Sequence, residues 1–309
     1  MRFLLTSAGI KNPSIHDALV DLLGKPIAEC DALCIPTASY GHPMAGPGAA
    51  WRFISGREPR CPMCELGWKS LGVLELSALP SIDEEQWVPL VKETDVLLAN
   101  GGDALYLAHW MRQSGLADLL PSLRAVWVGL SGGSMVMAPN VGEEPIRWKP
   151  PTGGDRALGL VDFSIFPHVD HKDMPGNSMA SAGQWAAKLP VPGYAIDDQT
   201  AIRVIDGAVD VVSEGHWKLS PPNTNRRVTG WSRARRRRES CTGLRRASPP
   251  ATEGQLPRSS SVAAAPEARP GSSHDRSAPR SRRRGRRRSR SAASRPVRPR
   301  EPRPTAPPG

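Results

Sequence analysis

The sequence lacks the features of a membrane or secreted protein. It has no apolar run approaching the roughly eighteen residues of a membrane-spanning helix, and residues 1–6 are too short for the core of a signal peptide. Its five cysteines form no even framework of disulfides, and the pair Cys61 and Cys64 lacks the second pair that a structural zinc site needs. We therefore expect a soluble, cytoplasmic protein with no metal and no other cofactor.

The end of the chain lacks the residues that build a core. Residues 222–309 contain 24 arginines, five acidic residues and no Lys, Ile, Phe, Tyr or Met, so they carry a net charge of +19. Residues 1–221 carry −8, and the net charge of +11 therefore arises entirely in the tail. So little apolar surface cannot offset the entropy lost on ordering. We expect one globular domain over residues 1–221 and a disordered Arg/Pro/Ser-rich tail over residues 222–309.

The arginine blocks of the tail fit two interpretations. Arginine neutralises phosphates, which would make the chain a nucleic-acid-binding protein, but one Trp and no Tyr or Phe leave little for base stacking. Exclusive use of Arg together with Pro, Ser and Ala is also typical of a GC-rich coding region read out of frame. We favour the interpretation of a frameshifted extension and keep nucleic-acid binding by the tail as the weaker alternative.

In residues 1–221, short apolar runs alternate with helical patterns, which is typical of an α/β fold with a mainly parallel sheet. Strands are predicted over residues 3–5, 32–35, 72–76, 95–99, 125–128 and 160–166. Helices are predicted over residues 14–23, 104–113 and 178–189, and a capping box of Ser81 and Glu84 opens a further predicted helix that runs to about residue 92. Residues 38–68 are interpreted as an irregular excursion, and Asp206-Gly207 predicts a C-terminal hairpin. The fold class that follows is a three-layer α/β sandwich with a flavodoxin-like sheet.

Ser131 lies in the motif Gly-Leu-Ser-Gly-Gly, directly after an apolar strand and before a predicted helix. Strand, Gly-x-Ser-x-Gly and helix form the arrangement of a nucleophile elbow, whose tight turn presents the hydroxyl at the end of the strand. A glycine-rich turn with an incidental serine is the alternative interpretation of the pentapeptide.

A serine nucleophile needs a general base, and His168 is the best candidate. It follows an apolar strand through Pro167, at the end of the sheet where open α/β folds bind ligands, and His171 is the second choice. The pair Gly101-Gly102 follows another strand and can bring bare backbone N–H groups near a substrate oxygen.

The carboxylate that would orient His168 is less clearly marked. Three candidates, Glu143, Glu144 and Asp155, lie between nucleophile and base, and Glu143 is the first choice. The pair Asp197-Asp198, before the final hairpin, is interpreted as a turn.

These motifs resemble a known family, peptidase family S51, which contains dipeptidase E, the aspartyl dipeptidases and, more distantly, cyanophycinase. The resemblance covers about residues 1–221 and rests on the segments 100–103, 129–133, 166–168 and 214–219. It implies a fold like that of class I glutamine amidotransferases, with serine in place of their cysteine. It further implies Ser131 as the nucleophile, His168 as the base and Gly102 with Gly132 as oxyanion donors, and it supports Glu143 as the acid.

The expected function is a serine-type peptidase of the dipeptidase E type, which hydrolyses short peptides through an acyl-enzyme. The arginine that holds an acidic substrate side chain in the family has no obvious counterpart here, so Asp-X dipeptides remain one substrate class among several. The alternative is an amidase or amidotransferase-like hydrolase of the same fold. The expected partner is a small peptide, with no membrane contact.

Overall fold

The computed structural model describes residues 1–43, 45–58, 61–142 and 148–223, and within them the chain forms two β-sheets. The strands are β1 (Arg2–Thr6), β2 (Asp31–Ile35), β3 (Ser70–Val73), β4 (Val96–Ala99), β5 (Val126–Leu130), β6 (Ser164–Phe166), β7 (Gly193–Ile196), β8 (Thr200–Ile205), β9 (Ala208–Ser213) and β10 (Trp217–Ser220). The helices are α1 (Pro13–Leu23), α2 (Ala38–Gly41), α3 (Gly46–Ile54), α4 (Glu84–Glu93), α5 (Ala104–Gln113), α6 (Leu116–Leu119), α7 (Gly132–Met135) and α8 (Met179–Ala186). All but the first two residues of the predicted tail lie outside the described ranges.

The larger sheet has seven strands in the order β3-β2-β4-β5-β1-β8-β9. The first five are parallel, and β8 and β9 add to them as an antiparallel hairpin. In the pairing of β1 with β5, Thr6 lies opposite Leu130. The residues that follow these two strands therefore emerge side by side at one edge of the sheet.

The central strands β4 and β5 are buried along their whole length. Strands covered on both faces of a parallel sheet are expected to be continuously apolar, which is why the sequence predicts them well. Helices α1 and α3 bury their apolar sides on one face of the sheet, and α4 and α5 on the other. This arrangement confirms the predicted three-layer α/β fold.

The predicted hairpin is also confirmed. Asp206 and Gly207 connect β8 to β9 with φ angles of 50° and 87°. Two consecutive residues with positive φ form the type I′ turn that suits the twist of a two-residue hairpin.

A second sheet was not predicted from the sequence. It has three strands in the order β10-β7-β6, in which β6 and β7 are parallel and β10 is antiparallel to β7. Phe166 pairs with Ala195, so the carboxyl ends of β6 and β7 lie next to each other.

Two local predictions are wrong. Ser81 does not cap α4, because its hydroxyl donates to the carbonyl of Ala78 and the helix begins at Glu84, one residue after Asp83. The excursion over residues 38–68 is not irregular throughout, since it contains α2 and α3, whose Phe53 is buried in the core.

None of the helices in the described part of the chain is long and apolar enough to span a membrane.

Candidate active site

Ser131 occupies a strained turn between β5 and α7. Its φ and ψ are 48° and −111°, a conformation that a non-glycine residue adopts at a cost of about 1–3 kcal/mol. Three backbone bonds fix the turn: the Ser131 N–H donates to Thr6 O at 3.0 Å, and its carbonyl accepts from the N–H groups of Ser134 and Met135. This is the geometry of the predicted nucleophile elbow.

The segment Gly101-Gly102 packs directly against this turn. A Cβ on Gly132 would collide with the carbonyl oxygen of Gly102, and a Cβ on Gly102 would collide with that of Ala38. Gly102 also has a φ of 141°, which favours glycine. Both positions therefore require glycine for close backbone approach.

The N–H groups of Gly102 and Gly132 are available for a substrate oxygen. Within the described residues neither donates a hydrogen bond to a protein acceptor. By contrast, the N–H of Gly101 is taken by the side chain of Asn100 at 2.8 Å. Two unpaired donors on adjoining turns are what an oxyanion hole requires.

Ser7, which follows β1, connects the two sheets. Its side chain is fully buried, and its Oγ accepts a hydrogen bond from the backbone N–H of His168 at 2.8 Å. The preceding residue, Thr6, accepts the N–H of Ser131. Through these contacts the end of β1 brings the end of β6 beside the elbow.

The imidazole of His168 is held by Asp198. Nδ1 of the ring lies 2.7 Å from Asp198 Oδ1, which also accepts the hydroxyl of Ser7 at 3.1 Å. Because an ionised carboxylate only accepts, Nδ1 carries the proton and Nε2 is left as the basic nitrogen. A carboxylate–imidazole pair of this kind supports general-base chemistry.

The Asp198 carboxyl is tuned by competing effects. Burial alone raises its pKa, but the hydrogen bonds from His168 and Ser7 and the charge of His168 together hold the pKa below the usual value of an aspartate. The carboxylate is therefore ionised at neutral pH.

Of the three predicted acids, Asp155 alone lies in the described residues, and its hydrogen bonds there do not reach His168. Glu143 and Glu144 lie outside the described ranges, so the prediction for Glu143 is untested. Asp155 accepts from the Asn140 side chain and the Gly142 N–H, and it thus holds the neighbouring turn.

Sequence reasoning missed Asp198 because it stands 30 residues beyond His168, in a segment typical of turns. Its position two residues after the short strand β7 was the available signal, and β7 itself was not predicted.

The structure places Ser131, Gly102 and Gly132 on adjoining turns and links His168 to them through Ser7 and Thr6 at the end of β1. In the part of the chain that the structure describes, no hydrogen bond joins Ser131 Oγ to His168. Catalytic hydrogen bonds are often open in unliganded enzymes and close when substrate binds.

A cavity of about 300 Å³ opens beside the imidazole. It is lined by Lys11, Cys61, His168, His171, Lys172, Asp173, Met174 and Asp198. Burial raises the pKa of the Cys61 thiol to about 11, so this group is neutral at physiological pH. The lining combines two lysines and two histidines with the carboxylates of Asp173 and Asp198, and His171 Nε2 lies 3.6 Å from Asp198 Oδ2.

No group of three or more His, Cys, Asp or Glu side chains in the described residues is placed to hold a metal ion.

Comparison with solved structures supports the fold. A candidate peptidase E from Listeria monocytogenes EGD-e matches with a TM-score of 0.50 and 17% identity over 69% of this chain and 98% of its own. A peptidase from an acI-B1 actinobacterium matches with a TM-score of 0.51 and 20% identity over 72% of this chain and 94% of its own. No curated protein sequence matches the chain.

The family is established by the match of the sequence to a family profile. The profile of Peptidase family S51 matches residues 3–212, which include the elbow, the Gly101-Gly102 segment and the His168–Asp198 pair. The chain therefore belongs to peptidase family S51.

Proposed function

We propose that this chain is a serine-type peptidase of the dipeptidase E type, acting on short peptides through an acyl-enzyme. The observation that carries the proposal is the partly buried His168–Asp198 pair, which Ser7 holds at the end of β1, while the strained Ser131 follows the neighbouring strand β5. Membership of a peptidase family supports the reaction class.

In the proposed mechanism, Ser131 Oγ attacks the carbonyl carbon of the scissile peptide bond. His168 Nε2 takes the hydroxyl proton, and the oxygen of the tetrahedral intermediate accepts the N–H groups of Gly102 and Gly132. The imidazolium then gives its proton to the leaving amine, and the C–N bond breaks to leave Ser131 acylated. A water molecule, deprotonated by His168, attacks the ester and releases the free carboxylic acid and Ser131.

Asp198 takes the role for which the sequence favoured Glu143. Its hydrogen bond to Nδ1 keeps Nε2 facing the site and stabilises the charged ring that forms during the reaction. Glu143 remains the alternative acid, and a comparison of Asp198→Asn with Glu143→Gln decides between them.

For the substrate, we propose a short peptide with an acidic group that enters the cavity beside His168. Lys11, His171 and Lys172 line that cavity, and their hydrogen-bond donors suit a carboxylate. They would supply the recognition for which the family resemblance implied an arginine.

The decisive experiment compares Ser131→Ala with wild type on a panel of Asp-X, neutral and basic dipeptides and of small amides. We expect wild type to hydrolyse acidic dipeptides best, and Ser131→Ala to lose at least about 10³-fold of kcat at unchanged stability. The exposed Ser122→Ala is the matched control. Unchanged turnover by Ser131→Ala would overturn the nucleophile assignment, and turnover of small amides alone would favour the amidase alternative.

A further inference from the structure

A second histidine lies between two carboxylates next to the candidate site. His216, between β9 and β10, has Nε2 3.0 Å from Asp170 Oδ2 and Nδ1 3.0 Å from Asp197 Oδ2. Its backbone N–H also donates to Asp197 Oδ2 at 2.8 Å. Both ring nitrogens of an imidazolium are donors, so one charged ring satisfies both carboxylates.

The two carboxylates belong to the segments that carry the candidate base and acid. Asp170 comes two residues after His168, and Asp197 directly precedes Asp198. The ring of His216 therefore ties together, from outside the site, the two segments whose inner side chains form the His168–Asp198 pair.

Each carboxylate is anchored by its other oxygen. Asp170 Oδ1 accepts the N–H of Met179 at the start of α8, at 3.0 Å. Asp197 Oδ1 accepts the hydroxyl of Thr200 at 2.6 Å and the N–H of Gln199 at 3.1 Å. The His216 bridge thus connects two points that are themselves fixed to the scaffold.

The segment after β6 needs such support because its backbone is strained. His168 and Asp170 have φ angles of 57° and 54°, which are unfavourable for residues with a Cβ. Strained residues persist only where surrounding contacts over-determine them. The Ser7 and Ile196 contacts hold one side of this segment, and His216 holds the other through Asp170.

We propose that His216 is a positioning residue: by bridging Asp170 and Asp197, it sets the orientation of the His168–Asp198 pair. The inference rests on the proposed function, because the pair is taken as the general base and its carboxylate. His216 itself touches neither substrate nor Ser131 and acts through the two aspartates. Consistent with a formed bridge, the hydrogen bond from His216 is the main cause that lowers the pKa of Asp170.

The test uses three substitutions of His216 in the full-length protein, two that remove one ring contact and one that removes both. In His216→Asn the amide nitrogen stands near the place of Nδ1 and keeps the contact to Asp197, whereas in His216→Gln it stands near the place of Nε2 and keeps that to Asp170. His216→Ala loses both ring contacts and keeps the backbone N–H contact to Asp197. His16→Ala is the matched control, because His16 is a half-exposed histidine beside a carboxylate, Asp17, on α1.

We expect His216→Ala to lower kcat on the best dipeptide by about ten- to a hundredfold with little change in KM, since misplacement of a base affects the transition state more than substrate binding. The Asn and Gln variants should retain intermediate kcat values, and His16→Ala should match wild type. A kcat of His216→Ala equal to that of wild type would overturn the proposal, as would equal losses for all three His216 variants.

An activity-independent measurement separates this proposal from the proposed function. The proton on His168 Nδ1, shared with Asp198 at 2.7 Å, should give a downfield ¹H NMR signal in wild type and His16→Ala. We expect His216→Ala to broaden or remove this signal at unchanged melting temperature, and an unaltered signal would contradict the positioning role. If Ser131→Ala were fully active while the signal still depended on His216, the proposed function would fail and the bridge would stand.

Discussion

At the residue scale, the account depends on three side chains that converge from distant positions in the chain. Ser131, His168 and Asp198 follow β5, β6 and β7, and Ser7 connects them from the end of β1. Motif and strand-end placement predicted the first two, because an elbow and a histidine after a buried strand leave local signals. Asp198 was not singled out, since the strand before it was not predicted and its contact with His168 joins residues 30 positions apart.

Asp198→Asn tests this convergence. The amide can donate to His168 Nδ1 and so favours the wrong tautomer, and we expect kcat to fall by about 10⁴-fold while the fold persists. Asp155→Asn, the control at a predicted acid that bonds elsewhere, should stay close to wild type. Loss of turnover in Glu143→Gln, with Asp198→Asn active, would contradict the assignment of Asp198.

The same variant predicts a pH effect on stability. Because the pKa of Asp198 is lower in the folded than in the unfolded protein, its ionisation stabilises the fold above the unfolded value of about 4, and this contribution is lost as the pH falls through the folded value. Between about pH 5 and about pH 2, the free energy of unfolding should therefore fall more steeply for wild type than for Asp198→Asn. Parallel urea-denaturation curves over this range would contradict it.

At the scale of elements, the sequence predicted the strands and the turn whose structure is determined by residues close together in the chain. The central strands were found because burial on both faces requires continuous apolar residues, and the hairpin because Asp-Gly is suited to its turn. β7 and β10 were missed because each is four residues long and forms a strand through pairing with distant residues, β7 with β6 and β10 with β7. The capping box failed because the helix begins only at Glu84, after Asp83, while Ser81 lies in the preceding 3₁₀ turn.

Two glycine substitutions test the assigned elements and are expected to change the stability of the protein in opposite directions. Gly207→Ala forces an alanine into a φ of 87° and should destabilise the hairpin by about 1–2 kcal/mol. Gly183→Ala, within α8, adds a Cβ that meets no atom within 4 Å and should stabilise by about 0.5–1 kcal/mol. Thermal unfolding reports both, and a lower melting temperature for Gly183→Ala would contradict the assigned helix.

At the scale of the whole molecule, the candidate site and the excess positive charge lie in different parts of the sequence. All of the site residues placed by the structure lie before residue 223, in a region of net charge −8, whereas residues 222–309 carry +19. The sequence composition alone shows this division, and the tail lies outside the residues that the structure describes.

Truncation after Asn223 tests the division. We expect the truncated protein to keep the dipeptidase kcat of the full chain, and to lose RNA affinity in a salt titration, because only the tail carries excess positive charge. Equal RNA affinity with and without the tail would show that the negatively charged region binds RNA by another route. A loss of peptidase activity on truncation would show that the tail belongs to the enzyme.

The central claim is that Ser131 is the nucleophile activated by His168 and Asp198. It is tested most directly by reacting the full-length protein with a fluorophosphonate probe and locating the adduct by peptide mass spectrometry. The account predicts one adduct, on Ser131, that forms quickly in wild type, much more slowly in Asp198→Asn and not at all in Ser131→Ala. Labelling of another residue, or equal labelling rates in wild type and Asp198→Asn, would contradict it.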